Sequence, residues 1–298
     1  CEHPFGALAC SSKMNIAKCL VLPAGRQWTC RTVFRSSLPV VSRIGPIGRK
    51  AVKLLVVSTI GRLATGVSDS FPIFAANRVE DWVQEKSYSY DGLLVSRSNP
   101  KDWSHVQSHV DSAFASGVFG PNSSLTLASV ENSRDEEDLR KRFLAAAASA
   151  ATKLASVGLP NDINQQIESD LCSLGPVAGL LCPNGPEVHI SLNVMAADVC
   201  KRWHRDYYIG RGIVSYTGVT GTEYTCDSNV DEWELENCGN NDCIIKDERK
   251  VKSVALGDML FIKGQHFPRL RKGSKGLIHK SAKLKYRDDG QILNRLVL

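Results

Sequence analysis

The stretch Glu187–Met195, EVHISLNVM, decides how the chain is read. Val188, Ile190, Leu192 and Val194 alternate with His189, Ser191 and Asn193. A period of two places the apolar set on one face of a strand and the polar set on the other. Downstream, short segments of the same texture recur between Gly, Asp and Asn punctuation. They are Cys200–Tyr207, Gly212–Thr217, Thr222–Cys226, Cys243–Ile245, Val251–Ala255, Met259–Lys263, Gly276–Lys280 and Leu293–Leu298. Many short strands separated by turn residues predict a sandwich or barrel rather than a parallel sheet.

Upstream of Glu187 the texture is helical. A helix is predicted over Trp103–Ala115. A second lies in SRDEEDLRKRFLAAAASAATKLASVG, with Ser133 and Glu136 at capping-box spacing and Gly158 then Pro160 as the stop. A third, NDINQQIESDLCSL, is predicted to end near Gly175-Pro176. The expected fold class is therefore α+β, a helical N-terminal half packed on a C-terminal jelly-roll-like domain. The expected divisions are 67–186 for the mainly helical region and 187–298 for the β domain.

The 298 residues carry a net charge of +6, but the basicity sits in one place. No Asp or Glu occurs between His3 and Ser68, whereas ten Lys and Arg do. Subtracting those ten from the 37 basic residues, and Glu2 from the 31 acidic ones, leaves 27 against 30 beyond Ser68. That balance of about −3 lacks the electrostatic footprint of a nucleic-acid-binding domain. The basic segment 14–66 is rich in Arg and Ser and has the composition of a transit peptide, which implies a mitochondrial matrix location. Residues 1–13 lie upstream of the expected initiator, Met14. No apolar run is long enough to predict a membrane span. In a reducing compartment the cysteines beyond the leader are expected as thiols. Cys238 and Cys243, in ENCGNNDC, are candidates for metal binding or oxidation.

The chemistry concentrates in CKRWHRDYYIGRGIVSYTGVTGTEY, residues 200–224. On a strand Cys200, Arg202, His204 and Asp206 share a face, so His204 and Asp206 form two adjacent ligands for one metal ion. Trp203 points the other way and is expected in the core. A third ligand is expected from His279 in GLIHKSA. Two His and one carboxylate leave positions open, which suits non-haem Fe(II). Cys200 lies on the same face, so a four-coordinate zinc site of Cys200, His204, Asp206 and His279 is the alternative. Arg211 and Glu223 either line the mouth of the site or pair with each other between strands.

A β domain reading His-x-Asp, a Gly257-Asp258 turn, His279 and then a basic residue resembles the double-stranded β-helix of 2-oxoglutarate/Fe(II) dioxygenases. The resemblance implies iron on His204, Asp206 and His279, with an arginine or lysine near the last strands pairing the far carboxylate of 2-oxoglutarate. Arg295 is the first candidate, with Arg287 and Lys263 as rivals. Asn193, eleven residues before His204, matches a cosubstrate-binding Asn of the alkylation-repair branch, although Met195 stands where that branch has Tyr.

A narrower resemblance is to the family called domain of unknown function 1826. It rests on Cys200, Trp203, His204, Asp206, Arg211, Tyr216, Gly218, Gly221, Thr222, Glu223, Lys263, Gly264, His279 and Ser281. Lys280 replaces an Arg of that pattern, the Gly218–Gly221 spacing is one residue longer, and the sequence stops within the last strand. The family's association with zinc homeostasis keeps a zinc-binding protein or hydrolase as an alternative to an oxygenase hydroxylating an unknown substrate. A non-catalytic organelle interaction subunit is the third expectation.

Overall fold

The computed structural model describes residues 72–97, 101–120, 123–196 and 200–298. The leader read as a transit peptide, and residues 1–13 before it, lie outside the described residues.

Two long helices dominate the N-terminal part, α2 (Glu136–Val157) and α3 (Asn161–Leu181), after the short α1 (Gln107–Ala115). In α2 the buried positions Leu139, Phe143, Ala147, Ala150, Leu154 and Val157 recur at three- and four-residue intervals, the stripe of a helix with one face packed. Its N-cap is Asp135, two residues later than the box expected from Ser133. The Asp135 carboxylate accepts from the amides of Glu137 and Asp138, and Ser133 instead caps the amide of Asp135. Gly158 ends the helix in the left-handed conformation, φ 79°.

The third helix does not stop at Gly175-Pro176. It runs on to Leu181 with Pro176 inside it. Proline removes one amide donor from the ladder, but Val177, Ala178 and Leu181 beyond it are all buried, and that packing carries the helix through. Gly175 permits the close approach of α2, since a Cβ there would sit 2.1 Å from the Phe143 ring.

The segment before Glu187 also supplies three strands that the sequence reading did not assign. They are β1 (Ile73–Ala76), β2 (Gly92–Val95) and β3 (Ser124–Glu131). With β4 (Glu187–Met195), β5 (Gly210–Val214), β8 (Met259–Lys263) and β10 (Arg295–Val297) they form sheets ordered β1-β2-β8-β5 and β10-β4-β3. All these pairs are antiparallel except β1–β2. A Ser215–Val297 bridge and reciprocal bonds between Val214 and Leu298 join β5 to β10. A third antiparallel sheet is ordered β7-β6-β9, from β6 (Glu223–Thr225), β7 (Lys252–Ser253) and β9 (Ile278–Lys280). A His204–His279 bridge extends that sheet by one position.

Two expected strands differ. Cys200–Tyr207 is irregular chain, bent at Cys200, Arg202 and Tyr207, whose ladder contact is the single bridge at His204, and Asn241 holds the backbone of Lys201 and Trp203. Cys243–Ile245 falls largely in a short helix, α5 (Asn241–Ile244), N-capped by the Asn240 side chain, which follows α4 (Glu232–Asn237). The expected thiols at Cys238 and Cys243 are joined as a disulfide, since α4 and α5 bring the two sulfurs together.

The alternation legible in β4 organises the packing. Ile190, Leu192 and Val194 join Phe143, Leu154, Ile167, Leu174 and Phe261 in the large core beneath the helices. In β5, Gly212 packs on Leu174 of α3, and just beyond the strand Tyr216 donates its hydroxyl to the buried Asp170 of α3 at 2.7 Å. On the opposite face, Leu260 and Ile262 of β8 meet Tyr224 of β6, with Val254 and Leu277, in a second cluster. Residues Val67–Leu298 make one compact unit. No helix among the described residues is long and apolar enough to cross a membrane.

Candidate metal centre

Arg211, Ile213 and Ser215 alternate with the helix-facing residues of β5 and so look into the space between the sheets. Arg295 and Val297 do the same on β10, and Met195 on β4. With Cys200, Thr222, His279, Lys280 and Ser281 they line a narrow, half-open pocket with a cavity volume of about 20 Å³. Of the candidate ligands His279 lines it, and Arg211 in the same wall touches Asp206.

His204 and His279 stand opposite each other in the bridge, exchanging both backbone hydrogen bonds at 3.0 Å. Their rings lie 4.4 Å apart between centroids. The His204 Nδ1–H donates to the carbonyl of Arg202 at 2.8 Å, and the His279 Nδ1–H to that of Leu277 at 3.0 Å. These contacts assign the proton to Nδ1 in each ring and leave both Nε2 lone pairs free to accept. Both Nε2 atoms converge on Asp206 Oδ1, at 3.5 Å and 3.6 Å. One ligand atom from each of His204, Asp206 and His279 lies within 4.8 Å of the others.

Charge around this trio is set by burial and by one arginine. Burial pulls the His279 imidazole down to about 4, against the opposing pull of Asp206, so the ring is neutral at pH 7. Burial alone would raise Asp206. The two histidine rings when protonated, and the Arg211 guanidinium, outweigh it and hold the carboxyl below its usual range. Arg211 Nη2 donates to Asp206 Oδ1 at 3.0 Å and to His279 Nε2 at 3.1 Å. Asp206 Oδ2 lies 2.9 Å from the same nitrogen, yet it is buried without a hydrogen bond of acceptable angle. A buried carboxylate oxygen without a donor is a position a cation would satisfy.

Of the other residues singled out in the sequence, Arg295 lines the pocket. It is 8% exposed, donates to the Ser281 hydroxyl at 2.6 Å and forms no salt bridge among the described residues. Cys200 lines the same pocket but falls outside the three-residue cluster. Asn193 lies two residues before Met195 on β4, with its amide donating to Ser191. Lys263 and Arg287 point elsewhere. Lys263 Nζ donates to the carbonyls of Ser87 and Tyr90 at 2.8 Å each, and Arg287 pairs with Asp111 of α1.

Arg211 and Glu223 do not pair with each other, because Glu223 is taken by Lys280. Trp203 is buried with Val230, Leu235, Ile244 and Ile278, as its place opposite His204 predicts. Asn241 escaped the sequence reading, and Ser281 entered it only as a position of the family pattern, with no role given. Ser281, two residues beyond His279 and so on the same face, was open to inference from spacing; Asn241 gave no such signal.

The fold and this cluster define an α+β protein with antiparallel sheets around a candidate His–Asp–His metal centre. The chain belongs to the family described as "Protein of unknown function (DUF1826)", whose profile matches residues 110–298. No curated protein and no solved structure matches the chain.

Proposed function

We propose that His204, Asp206 and His279 hold Fe(II), that Arg295 binds the far carboxylate of 2-oxoglutarate, and that the protein is an oxygenase hydroxylating a C–H bond of its substrate. The observation that carries this reading is the pair of Nδ1–H contacts, which turn both imidazole Nε2 atoms toward one carboxylate. Iron in such a three-ligand site supplies activation of O2 for attack on an unactivated C–H bond. The chain's own residues do the rest. The Arg202 and Leu277 carbonyls orient the two rings, Arg295 presents a planar fork suited to a carboxylate, and Met195, Ile213 and Val297 give the pocket an apolar wall.

Strand order supports a double-stranded β-helix. Eight consecutive segments are counted from Glu187: β4, the stretch through His204, then β5 to β10. The larger sheet runs first, eighth, third, sixth, and the smaller one second, seventh, fourth, fifth. Helices α2 and α3 cover the outer face of the larger sheet, which is the role proposed for the N-terminal part. Delivery to the mitochondrial matrix remains part of this proposal through the leader's composition.

Anaerobic titration with Fe(II) and then 2-oxoglutarate tests the reading. A weak visible charge-transfer band is expected in the native protein. It should be absent in His204→Ala and His279→Ala, and Arg295→Ala should demand at least tenfold more 2-oxoglutarate, about 1.4 kcal/mol. Absence of the band together with tight zinc lost in Cys200→Ser would replace iron by the zinc reading, which the presence of Cys200 in the same pocket favours.

A further inference from the structure

The disulfide between Cys238 and Cys243 closes the turn between α4 and α5, and the two helices grip the chain immediately before His204. Asn241, inside the disulfide loop, accepts from the Trp203 amide at 3.0 Å and donates to the Lys201 carbonyl at 2.8 Å. Arg202 Nη2 donates to the Leu235 carbonyl of α4 at 2.6 Å. The side chains of Leu235 and Ile244 pack on Trp203. Both backbone neighbours of Arg202 are thus held by Asn241, and the Arg202 carbonyl is the acceptor that orients the His204 ring.

We propose that Cys238–Cys243 is a reversible thiol–disulfide site whose closure fixes His204 in its ligand orientation, so that oxidation raises and reduction lowers metal affinity. The idea of a change in affinity rests on the metal-centre reading; the coupling of the disulfide to residues 201–204 does not. α5 has four residues and cannot hold its shape alone. The loop therefore depends on the cross-link and the Asn240 cap to present Asn241.

The partners in the exchange are small or protein-borne disulfides and dithiols. Cys243 is exposed and Cys238 half-buried, which makes Cys243 the entering thiolate. Its sulfur attacks one sulfur of the oxidant disulfide and expels one thiol. Cys238 thiolate then attacks the mixed disulfide at Cys243 and expels the second. Two protein thiols and one disulfide give one protein disulfide and two thiols, two electrons passing to the oxidant. A dithiol reverses both steps.

The test uses the full chain, oxidised with glutathione disulfide or reduced with dithiothreitol, the state of Cys238 and Cys243 being verified by alkylation and peptide mass. Mn(II), which does not favour thiolates, is titrated by electron paramagnetic resonance, and amide exchange is followed at Trp203 and His204. Reduction is expected to weaken Mn(II) about tenfold, the scale of losing an outer contact of a metal ligand, and to speed both amides. Asn241→Ala should show the weaker affinity in both states, even when its disulfide is closed. Equal Mn(II) affinity and equal exchange in both states would overturn the proposal, as would failure of the pair to cycle. If Mn(II) binds in neither state, the metal reading falls, and the exchange rates alone decide the coupling.

Discussion

At the scale of the residue, the arrangement turns on where protons and charges are held. His204 and His279 are tied through Nδ1 to carbonyls two residues upstream, so each ring has one nitrogen committed to the fold and one available to a ligand. Arg211 lies against that available side, bridging Asp206 and His279. A divalent cation entering there must displace a guanidinium already paired with the carboxylate. Arg211→Ala is expected to bind Mn(II) several-fold more tightly than the native protein at low ionic strength, and calorimetric titration measures this; weaker binding would make Arg211 an aid to the ligands instead. His-x-Asp and its distal His were legible in the sequence because period two and residue chemistry are local. The partner of Arg211 was not, because Asp206 and Glu223 were both within reach of an arginine on β5, and strand pairing chose between them.

At the scale of the element, close packing sets tolerance. α2 and α3 meet where Gly175 faces Phe143, and an added Cβ would lie 2.1 Å from two ring carbons. Gly175→Ala should cost about 2 kcal/mol in urea unfolding, the scale of overpacking a filled core. Combining it with Phe143→Leu should recover part of that loss in a double-mutant cycle. The strong helix signal of α2 survived into the structure because alanine, the acidic first turn and the Gly158 stop all act within a few residues. The end of α3 did not follow its local signals, since burial of Val177, Ala178 and Leu181 overrides the proline. Strands β1 to β3 were illegible for a related reason: β2 is defined by pairing with β8 and β3 by pairing with β4, far along the chain, and β1 by pairing with β2.

At the scale of the whole molecule, Lys263 ties distant segments together. It is fully buried at the end of β8, donating to the Ser87 and Tyr90 carbonyls, with its ammonium 4.9 Å from the Phe267 ring centroid and 5.3 Å from that of Tyr88. Burial pulls the ammonium down to about 8 from 10.5, against the attraction of Asp91. The unfolded chain therefore binds more protons between these values, and this group's contribution to stability rises from pH 8 to 10.5 and is lost as pH falls through 8. The difference amounts to about 3 kcal/mol at most. Lys263→Met should remove that slope from urea midpoints measured between pH 8 and 10.5. At pH 7 it should lower stability by about 1–2 kcal/mol, because two carbonyls lose their donor. An unchanged slope would mean that the ammonium is hydrated in the folded state.

The one-dimensional pattern was sufficient for what depends on near neighbours: mixed helix and strand content, the face on which His204 and Asp206 lie, Trp203 as a core residue and the family to which the chain belongs. Folding settled what depends on distant partners. It put Arg295 in the pocket and Lys263 and Arg287 outside it, recruited β1 to β3 into the sheets, and set Asn241 against the backbone that orients a ligand. The division is physical. Periodicity, caps and turns act over a few residues, whereas a salt bridge, a sheet register or a cavity wall joins residues tens to nearly two hundred positions apart.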